Sequence, residues 1–419
     1  MKKKTLSKKT LLSCIALLPL AVYMVVYLDR RPLSAIRALR GFSIAAENLV
    51  LWGSLLLLSS LIFLFSINSE PKETNPGCKN LWVISFLVPY ILLIALVVYV
   101  NPHGRFPWKL YPFTTTAAHY QKIALYKQLS KPPQVIVLGS SHSYTIQASY
   151  ISEVLDKDAF NMAVGSAGPM DELILARYIT KNTTEIPQLF IVELVATDLG
   201  TSAWQNYMPL NLVPYFSFKN KLPIIQSALF DTVSLRSLTD ALFLLVNQDA
   251  KEYITFLPDG TGQRSKRSAS FYQNNIQKQI PAVFGRNTCD VLDHEGQKAI
   301  NQFVELAEEY KIGVVFYRSP VNAEFFEQAN LEKPRYQKCQ QLFATYMQNL
   351  VQSHPNVFYV DLFDYEPISS LREDGYIDAQ HLVPEASNLV IDALLFDLEK
   401  ALQWSSMNRQ KADCDILLK

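Results

Sequence analysis

The chain has 419 residues, with 39 Lys and Arg against 38 Asp and Glu and a formal net charge of +1. This near-neutral balance gives no general electrostatic basis for binding nucleic acid, which requires a basic surface. Charged residues make up 18% and apolar types 49% of the chain, a composition that argues against disorder and allows two or three domains.

The first hundred residues contain three uncharged apolar stretches, Leu11–Leu28, Leu49–Ile67 and Leu81–Val100. Each has the roughly 17–25 residues that a transmembrane helix needs. We therefore predict a membrane anchor of three helices over residues 1–104, which excludes an ordinary cytosolic enzyme. The first stretch follows a basic start, as a signal peptide does, but no A-x-A-like cleavage site comes after it, so we interpret it as an uncleaved helix.

The charges around these stretches bear on the orientation in the membrane. The N-terminus carries Lys2, Lys3, Lys4, Lys8 and Lys9, which favour a cytoplasmic start, and three spans then place the rest of the chain outside the cytoplasm. The first loop carries four arginines that favour the cytoplasm too: Arg30, Arg31, Arg37 and Arg40. Either this loop lies along the interface or Leu11–Leu28 does not span fully. We expect an extracytoplasmic C-terminal domain.

After a linker at 105–133, short apolar runs alternate with helical patterns across residues 134–405. The predicted strands are Gln134–Leu138, Ala159–Val164, Leu189–Val195, Ile312–Tyr317 and Val357–Leu362. The predicted helices include Met170–Lys181, His294–Lys311, Pro334–Val351 and Pro384–Leu402. This alternation predicts an α/β domain whose parallel five-stranded sheet is covered on both faces. Residues 200–286 break the pattern and are interpreted as an insertion that caps the domain, and residues 406–419 as a tail.

The five cysteines are Cys14, Cys78, Cys289, Cys339 and Cys414. They form no C-x-x-C pair and no metal-ligand spacing, so no metal site is predicted. Cys289 and Cys339 can form a disulfide if the domain lies outside the cytoplasm, and two unpaired thiols are an equally compatible interpretation. No Walker loop or G-x-G-x-x-G follows a strand, so no nucleotide cofactor is expected.

In an open parallel sheet, ligands bind at the carboxyl ends of the strands, so the residues after each strand are candidates for the active site. Ser141 follows the first predicted strand, where its hydroxyl is a candidate nucleophile and its N–H a candidate oxyanion donor. A base must take the hydroxyl proton. His381 can do so, and Asp378 can hold the other nitrogen of its ring. The Asp-x-x-His spacing places Asp378 and His381 on one tight turn before a helix, so the two side chains are expected to lie next to each other.

Other interpretations of these residues stay open at the level of sequence. Ser141 can be a helix cap, and His381 a structural histidine at a helix start. His142 can contact substrate or only complete the turn. Glu193 carries a charge inside a strand, which is unusual, and either faces the site or pairs with an arginine such as Arg318. The α/β-hydrolase elbow is excluded, because Ser143 stands where G-x-S-x-G requires its second glycine.

Four segments together, GSSHS, FNMAVGSAGP, ELVATD and DAQHL, resemble the SGNH/GDSL hydrolase superfamily. The likeness is greatest to membrane-anchored members that modify bacterial cell-surface polymers, such as the proteins of lipoteichoic-acid D-alanylation and alginate O-acetylation. It covers about Gln134–Leu402 except for the insertion. The resemblance implies a flavodoxin-like α/β/α fold with Ser141 as nucleophile, His381 as base and Asp378 as the acid that orients it.

The resemblance also implies an oxyanion hole, and here the chain departs from the family. The Gly165–Gly168 loop is expected to donate a backbone N–H beside that of Ser141. The family's third block presents Gly-x-Asn-Asp, but this chain has Thr197 in place of the Asn. We expect Thr197 to supply a shorter and more mobile donor, and loss of one such donor typically costs ~10²–10³ in rate.

The function expected from the resemblance is that of a membrane-anchored serine esterase or O-acyltransferase that acts on acyl esters of an extracytoplasmic glycan in the bacterial cell envelope. The alternative is a non-catalytic subunit with the same fold that assembles with a membrane acyltransferase or a polysaccharide-export complex. The expected partners are the lipid bilayer, a polytopic acyltransferase and a surface glycan, with no cofactor and no nucleic acid.

Overall fold

The computed structural model describes residues 91–106, 108–111, 118–199, 209–216, 221, 225, 232, 234–246, 255–263 and 269–417. Leu11–Leu28 and Leu49–Ile67 lie outside the described residues, as does the first half of Leu81–Val100, whose residues 91–100 are helical. Among the residues described, no helix combines the length and the apolar character that crossing a membrane requires.

The chain divides into two compact units, Met1–Val100 with Phe230–Val246, and Asn101–Leu229 with Asn247–Lys419. The first unit contains the helical residues 91–100 and a helix over Leu235–Val246. The second unit contains every strand described below and all the candidate site residues.

The second unit is built on a parallel sheet. Its strands are β1 (Val135–Leu138), β2 (Ala159–Asn161), β3 (Leu189–Glu193), β6 (Gly313–Arg318) and β7 (Val357–Asp361). They lie in the order β2-β1-β3-β6-β7, and every neighbouring pair is parallel. This is the flavodoxin-like order, so the predicted α/β fold with five parallel strands is confirmed. Strands β4 (Thr255–Phe256) and β5 (Gly262–Gln263) form a separate antiparallel pair within the predicted insertion.

The described residues of this unit also form ten α-helices. They are α1 (Ala118–Lys127), α2 (Ala148–Leu155), α3 (Pro169–Asn182), α4 (Ala269–Arg286), α5 (His294–Glu309), α6 (Ala323–Gln328), α7 (Pro334–Ser353), α8 (Glu366–Ser369), α9 (Arg372–Gly375) and α10 (Pro384–Leu417). The end of α10 differs from the sequence prediction, which ended the helix at Leu402. It continues because Ser405 donates to the carbonyl of Lys311 at 2.6 Å and Arg409 to that of Ile186 at 2.9 Å.

The inner strands β1, β3 and β6 are fully buried, as their near-continuous apolar character predicts, and the edge strand β7 is partly exposed. In β1, Ile136 and Leu138 belong to one core cluster, while Val135 and Val137 belong to a second. Successive side chains of a strand point to opposite faces, so the two clusters lie on the two sides of the sheet. Because core side chains cover both faces of the sheet, a ligand-binding site on this sheet is expected where its strands end.

A buried lysine fixes the β4–β5 hairpin to this sheet. Lys122 of α1 has no exposed surface, and its ammonium group donates to the backbone carbonyls of Asn161, at 2.8 Å, and Gly260. Burial lowers the pKa of Lys122, and the charge of Asp259 counteracts this only in part. Gly260 has a φ of +80°, and a Cβ there would lie 2.1 Å from the Asn161 oxygen, so this close approach requires glycine.

Cys289 and Cys339 form a disulfide, which decides the question that the sequence left open. Their Cα atoms are 4.8 Å apart, and the bond joins the segment before α5 to helix α7. Cys339 has no exposed surface. The bond closes a loop that includes all of α5 and the inner strand β6.

We expect removal of this disulfide by Cys339→Ala to lower the free energy of unfolding by about 2–4 kcal/mol. The physical reason is the greater conformational entropy of an unfolded chain without a crosslink across 50 residues. Urea denaturation with and without dithiothreitol measures the effect. Reductant should destabilise the wild type and leave the variant unchanged, and equal midpoints for oxidised wild type and variant would contradict the prediction.

Candidate active site

Ser141 lies in a tight turn between β1 and α2. Gly139 opens the turn with a φ of +138°, and a Cβ there would lie 2.7 Å from the Cβ of Glu193, so only glycine fits. The N–H of Ser143 donates to the carbonyl of Ser140 at 3.2 Å and closes the turn. Helix α2 begins at Ala148 with Gln147 as its N-cap residue, so the interpretation of Ser141 as a helix cap is wrong.

His381 and Asp378 lie on a second turn, between α9 and α10. The N–H of Ile377 donates to the carbonyl of His381 at 2.8 Å. One Asp378 oxygen, Oδ1, accepts from the backbone N–H groups of Gln380, at 3.1 Å, and His381, at 3.0 Å. These local bonds fix the carboxylate relative to the imidazole, which explains why the Asp-x-x-His spacing is informative.

The two turns bring Ser141, His381 and Asp378 together. Ser141 Oγ lies 2.8 Å from His381 Nε2, across a sequence separation of 240 residues. His381 Nδ1 lies 2.8 Å from both Asp378 oxygens. The hydroxyl, the imidazole and the carboxylate thus form one continuous hydrogen-bonded series. The catalytic roles of the three residues stay a prediction.

Asp378 remains a carboxylate at neutral pH. Burial alone would raise its pKa, but the hydrogen bond and charge of His381 and the two backbone N–H groups outweigh burial and hold the pKa well below its usual value. A carboxylate beside Nδ1 keeps the proton of a neutral imidazole on that nitrogen. Nε2 then presents its lone pair to the Ser141 hydroxyl, which is the arrangement that a general base requires.

Gly165 has a partner in this structure. Its N–H donates to the hydroxyl of Tyr144, and a Cβ at Gly165 would lie 2.5 Å from that oxygen. The end of the same loop is fixed because Gly168 N–H donates to Asp171 at 3.0 Å. Gly165 would therefore have to exchange the Tyr144 hydroxyl for an oxyanion. Thr197 lies in a short 3₁₀ turn, Ala196–Leu199, but its side chain is outside the described residues.

Glu193 has a role that the sequence could not assign. It has no exposed surface, and its Oε1 lies 2.9 Å from His142 Nδ1 while its Oε2 accepts from the Ser140 N–H at 2.7 Å. Burial alone would raise the pKa of Glu193, but its contacts with His142 and Ser140 lower it. Arg318, the other partner considered, instead donates to Asn287 at 2.9 Å. In the sequence, the only indication of the Glu193–His142 pair was the charged Glu193 inside an otherwise apolar strand.

Helix α4 of the predicted insertion contacts the turn that carries His381. Gln279 accepts from the Ala379 N–H at 3.3 Å, and Arg286 donates to the side chain of Gln380 at the same distance. No sequence pattern indicated either contact. Among the described residues, no group of three or more His, Cys, Asp or Glu side chains is arranged to hold a metal ion.

Of the comparisons with known proteins, only the one with solved structures gives matches to this chain. No protein-family model matches the chain, and no curated protein sequence matches it. A solved structure of a proposed acylhydrolase from Bacteroides fragilis is 13% identical with a TM-score of 0.35, covering 68% of this chain and 98% of that one. A Streptococcus pneumoniae structure described as a proposed platelet activating factor is 13% identical with a TM-score of 0.33, covering 67% of this chain and 91% of that one.

We expect Asp378→Asn to lower turnover of an activated acetyl ester by about 10⁴-fold, since the amide donates to Nδ1 and leaves the proton on Nε2. The Asn oxygen can still accept from Gln380 and His381, so the turn should keep its form. Turnover of p-nitrophenyl acetate, with thermal melts alongside, measures the effect. Unchanged turnover in the folded variant would show that Asp378 only caps its turn.

Proposed function

We propose that the chain is an SGNH-type serine esterase or O-acyltransferase that works through a covalent acyl-enzyme. The observation that carries this proposal is the continuous contact from Ser141 through His381 to Asp378. A serine hydroxyl is a weak nucleophile unless a base lies within hydrogen-bonding distance. Here the base is in place and a buried carboxylate orients it.

In the first half of the proposed reaction, Ser141 Oγ attacks the carbonyl carbon of an acyl ester while His381 Nε2 takes the hydroxyl proton. The carbonyl electron pair moves onto oxygen and forms a tetrahedral oxyanion. When that pair returns, the bond to the leaving alcohol breaks and His381 gives its proton to the alcohol oxygen. The acyl group is then an ester of Ser141, and Asp378 stabilises the imidazolium throughout.

The second half repeats these steps with a new nucleophile. A water molecule gives hydrolysis, and a sugar hydroxyl gives acyl transfer. In either case His381 takes the proton of the incoming oxygen and returns it to Ser141 Oγ as the acyl group departs. Both outcomes use the same three residues, so the proposal includes both.

The oxyanion is assigned to the N–H of Ser141, the N–H of Gly165 and the hydroxyl of Thr197. Gly165 contributes only after its N–H leaves the Tyr144 hydroxyl. The Thr197 donor comes from the resemblance and from its position after β3. Turnover by Thr197→Val, which keeps the side-chain shape and lacks the hydroxyl, measures its contribution.

The proposed substrate is an acyl ester of a glycan outside the cytoplasm, reached by a domain anchored in the bacterial cell membrane. The three apolar stretches of the first hundred residues support an anchor. The disulfide between Cys289 and Cys339 supports an oxidising compartment, because structural disulfides persist there and are rare in cytosolic proteins. A polytopic membrane acyltransferase is the proposed protein partner.

The second candidate function is that of a non-catalytic subunit in a membrane acyltransferase or polysaccharide-export complex. Thr197 favours it, because the family's stronger oxyanion donor is missing from that position. The two candidates differ in one measurable property, the reactivity of Ser141.

A fluorophosphonate probe tests the proposal, because it labels only a serine whose hydroxyl an adjacent base activates. We expect the wild-type protein to be labelled at Ser141, with the site identified by mass spectrometry. Ser141→Ala should abolish labelling, while Ser353→Ala, at an exposed serine that ends helix α7, is the control and should retain it. A folded wild-type protein that does not react would favour the assembly subunit.

Phosphatase fusions test the proposed orientation, since alkaline phosphatase is active only outside the cytoplasm. A fusion after Val100 should be active if the five N-terminal lysines set the topology. A cytoplasmic reporter should be inactive at the same position. The opposite pattern would place the second unit in the cytoplasm and overturn the glycan substrate.

A further inference from the structure

We infer that Glu193 and His142 form a second carboxylate–imidazole pair, whose role is to position the Ser141 nucleophile. This inference rests on the proposed function, because it concerns the same acylation step. It assigns roles to two residues that the Ser141–His381–Asp378 series does not include.

The contacts place Glu193 on both sides of the nucleophile. One carboxylate oxygen accepts from the N–H of Ser140, the residue before Ser141, at 2.7 Å. The other lies 2.9 Å from the ring nitrogen Nδ1 of His142, the residue after it. A single buried side chain at the end of β3 thus binds both neighbours of Ser141, which limits rotation of the backbone between them.

The turn is also bound to the next strand. Ser143 Oγ lies 2.7 Å from the hydroxyl of Tyr317, which pairs with Glu193 in the register of β3 and β6. Gly139 lies so close to Glu193 that a Cβ would overlap with it. The nucleophile turn is therefore fixed to two adjacent strand ends, and Glu193 makes the greater number of these contacts.

His142 connects this support to the base. Its ring centroid lies 5.2 Å from that of His381, with the rings inclined at 52°, and the residue is 8% exposed. Since Nδ1 of His142 is held by Glu193, the ring cannot rotate without breaking that bond. The His142 ring therefore packs in one orientation beside the His381 imidazole. This packing helps to maintain the 2.8 Å distance from His381 Nε2 to Ser141 Oγ.

A positioning pair of this kind should act on the chemical step more than on binding. Displacement of a reacting group by about 1 Å can cost ~10²-fold in rate. Loss of the Glu193–His142 bond should thus slow reaction at saturating substrate or probe, while the concentration that gives the half-maximal rate should change little. If the pair had only a structural role, its loss would lower the fraction of folded protein, and the folded fraction would react at the wild-type saturating rate.

The test uses fluorophosphonate labelling of the full chain, with the rate measured across probe concentrations and melting temperature recorded for each variant. His142→Phe keeps the ring but loses the donor to Glu193, and should lower the saturating rate about 10²-fold. His142→Asn places an amide N–H close to the position of Nδ1 and should restore the part of the rate that depends on the donor, while the part that depends on the ring stays lost. His354→Ala is the matched control, because His354 contacts Glu308 at 3.4 Å in a histidine–carboxylate pair outside this site.

The outcomes separate this inference from the proposed function. Wild-type protein that does not react refutes the proposed function and, with it, the inference. Reactive wild type with an unchanged rate in His142→Phe overturns the inference alone. It is also overturned if folded His142→Asn reacts as slowly as His142→Phe, because a retained donor should restore the position. If His142→Phe does not fold, His142→Ala replaces it with the same expected loss.

Discussion

The hydrogen bond between Ser141 and His381 depends on the parallel arrangement of the sheet. The two residues are 240 positions apart, and no local structure could bring them together. Parallel strands end at one common edge, so the turn after β1 and the segment that follows β7 emerge on the same side. Glu193 reaches the site for the same reason, because β3 lies directly beside β1.

Two buried carboxylates, Asp378 and Glu193, lie at this edge of the sheet, and each has partners that compensate its charge. Asp378 and Glu193 are both largely removed from water, which is costly for an ionised group unless it is paired and hydrogen-bonded. Each has an imidazole partner, and each accepts at least one backbone N–H group as well. The low pKa of each acid follows from these partners, which offset the effect of burial.

The sequence predicted the parts of this site that depend on local pattern. The β-branched runs identified β1, β3, β6 and β7, and the Asp-x-x-His spacing identified a turn whose bonds lie within three residues. Contacts between distant segments could not be predicted, because the spacing of residues along the chain does not show which segments meet in the fold. Glu193 was recognisable as unusual, but its partner His142 is 51 residues away. The support from α4 to the His381 turn and the continuation of α10 beyond Leu402 likewise depend on tertiary contacts alone.

The order of the site residues along the chain has a consequence for biosynthesis. The nucleophile and all five strands of the sheet precede residue 362, whereas Asp378 and His381 follow it. Under the proposed roles, a chain synthesised from its N-terminus contains the nucleophile Ser141 well before its base, His381. A product truncated before the last turn would lack both the proposed base and its carboxylate, so we expect it to be inert however much of its sheet had formed.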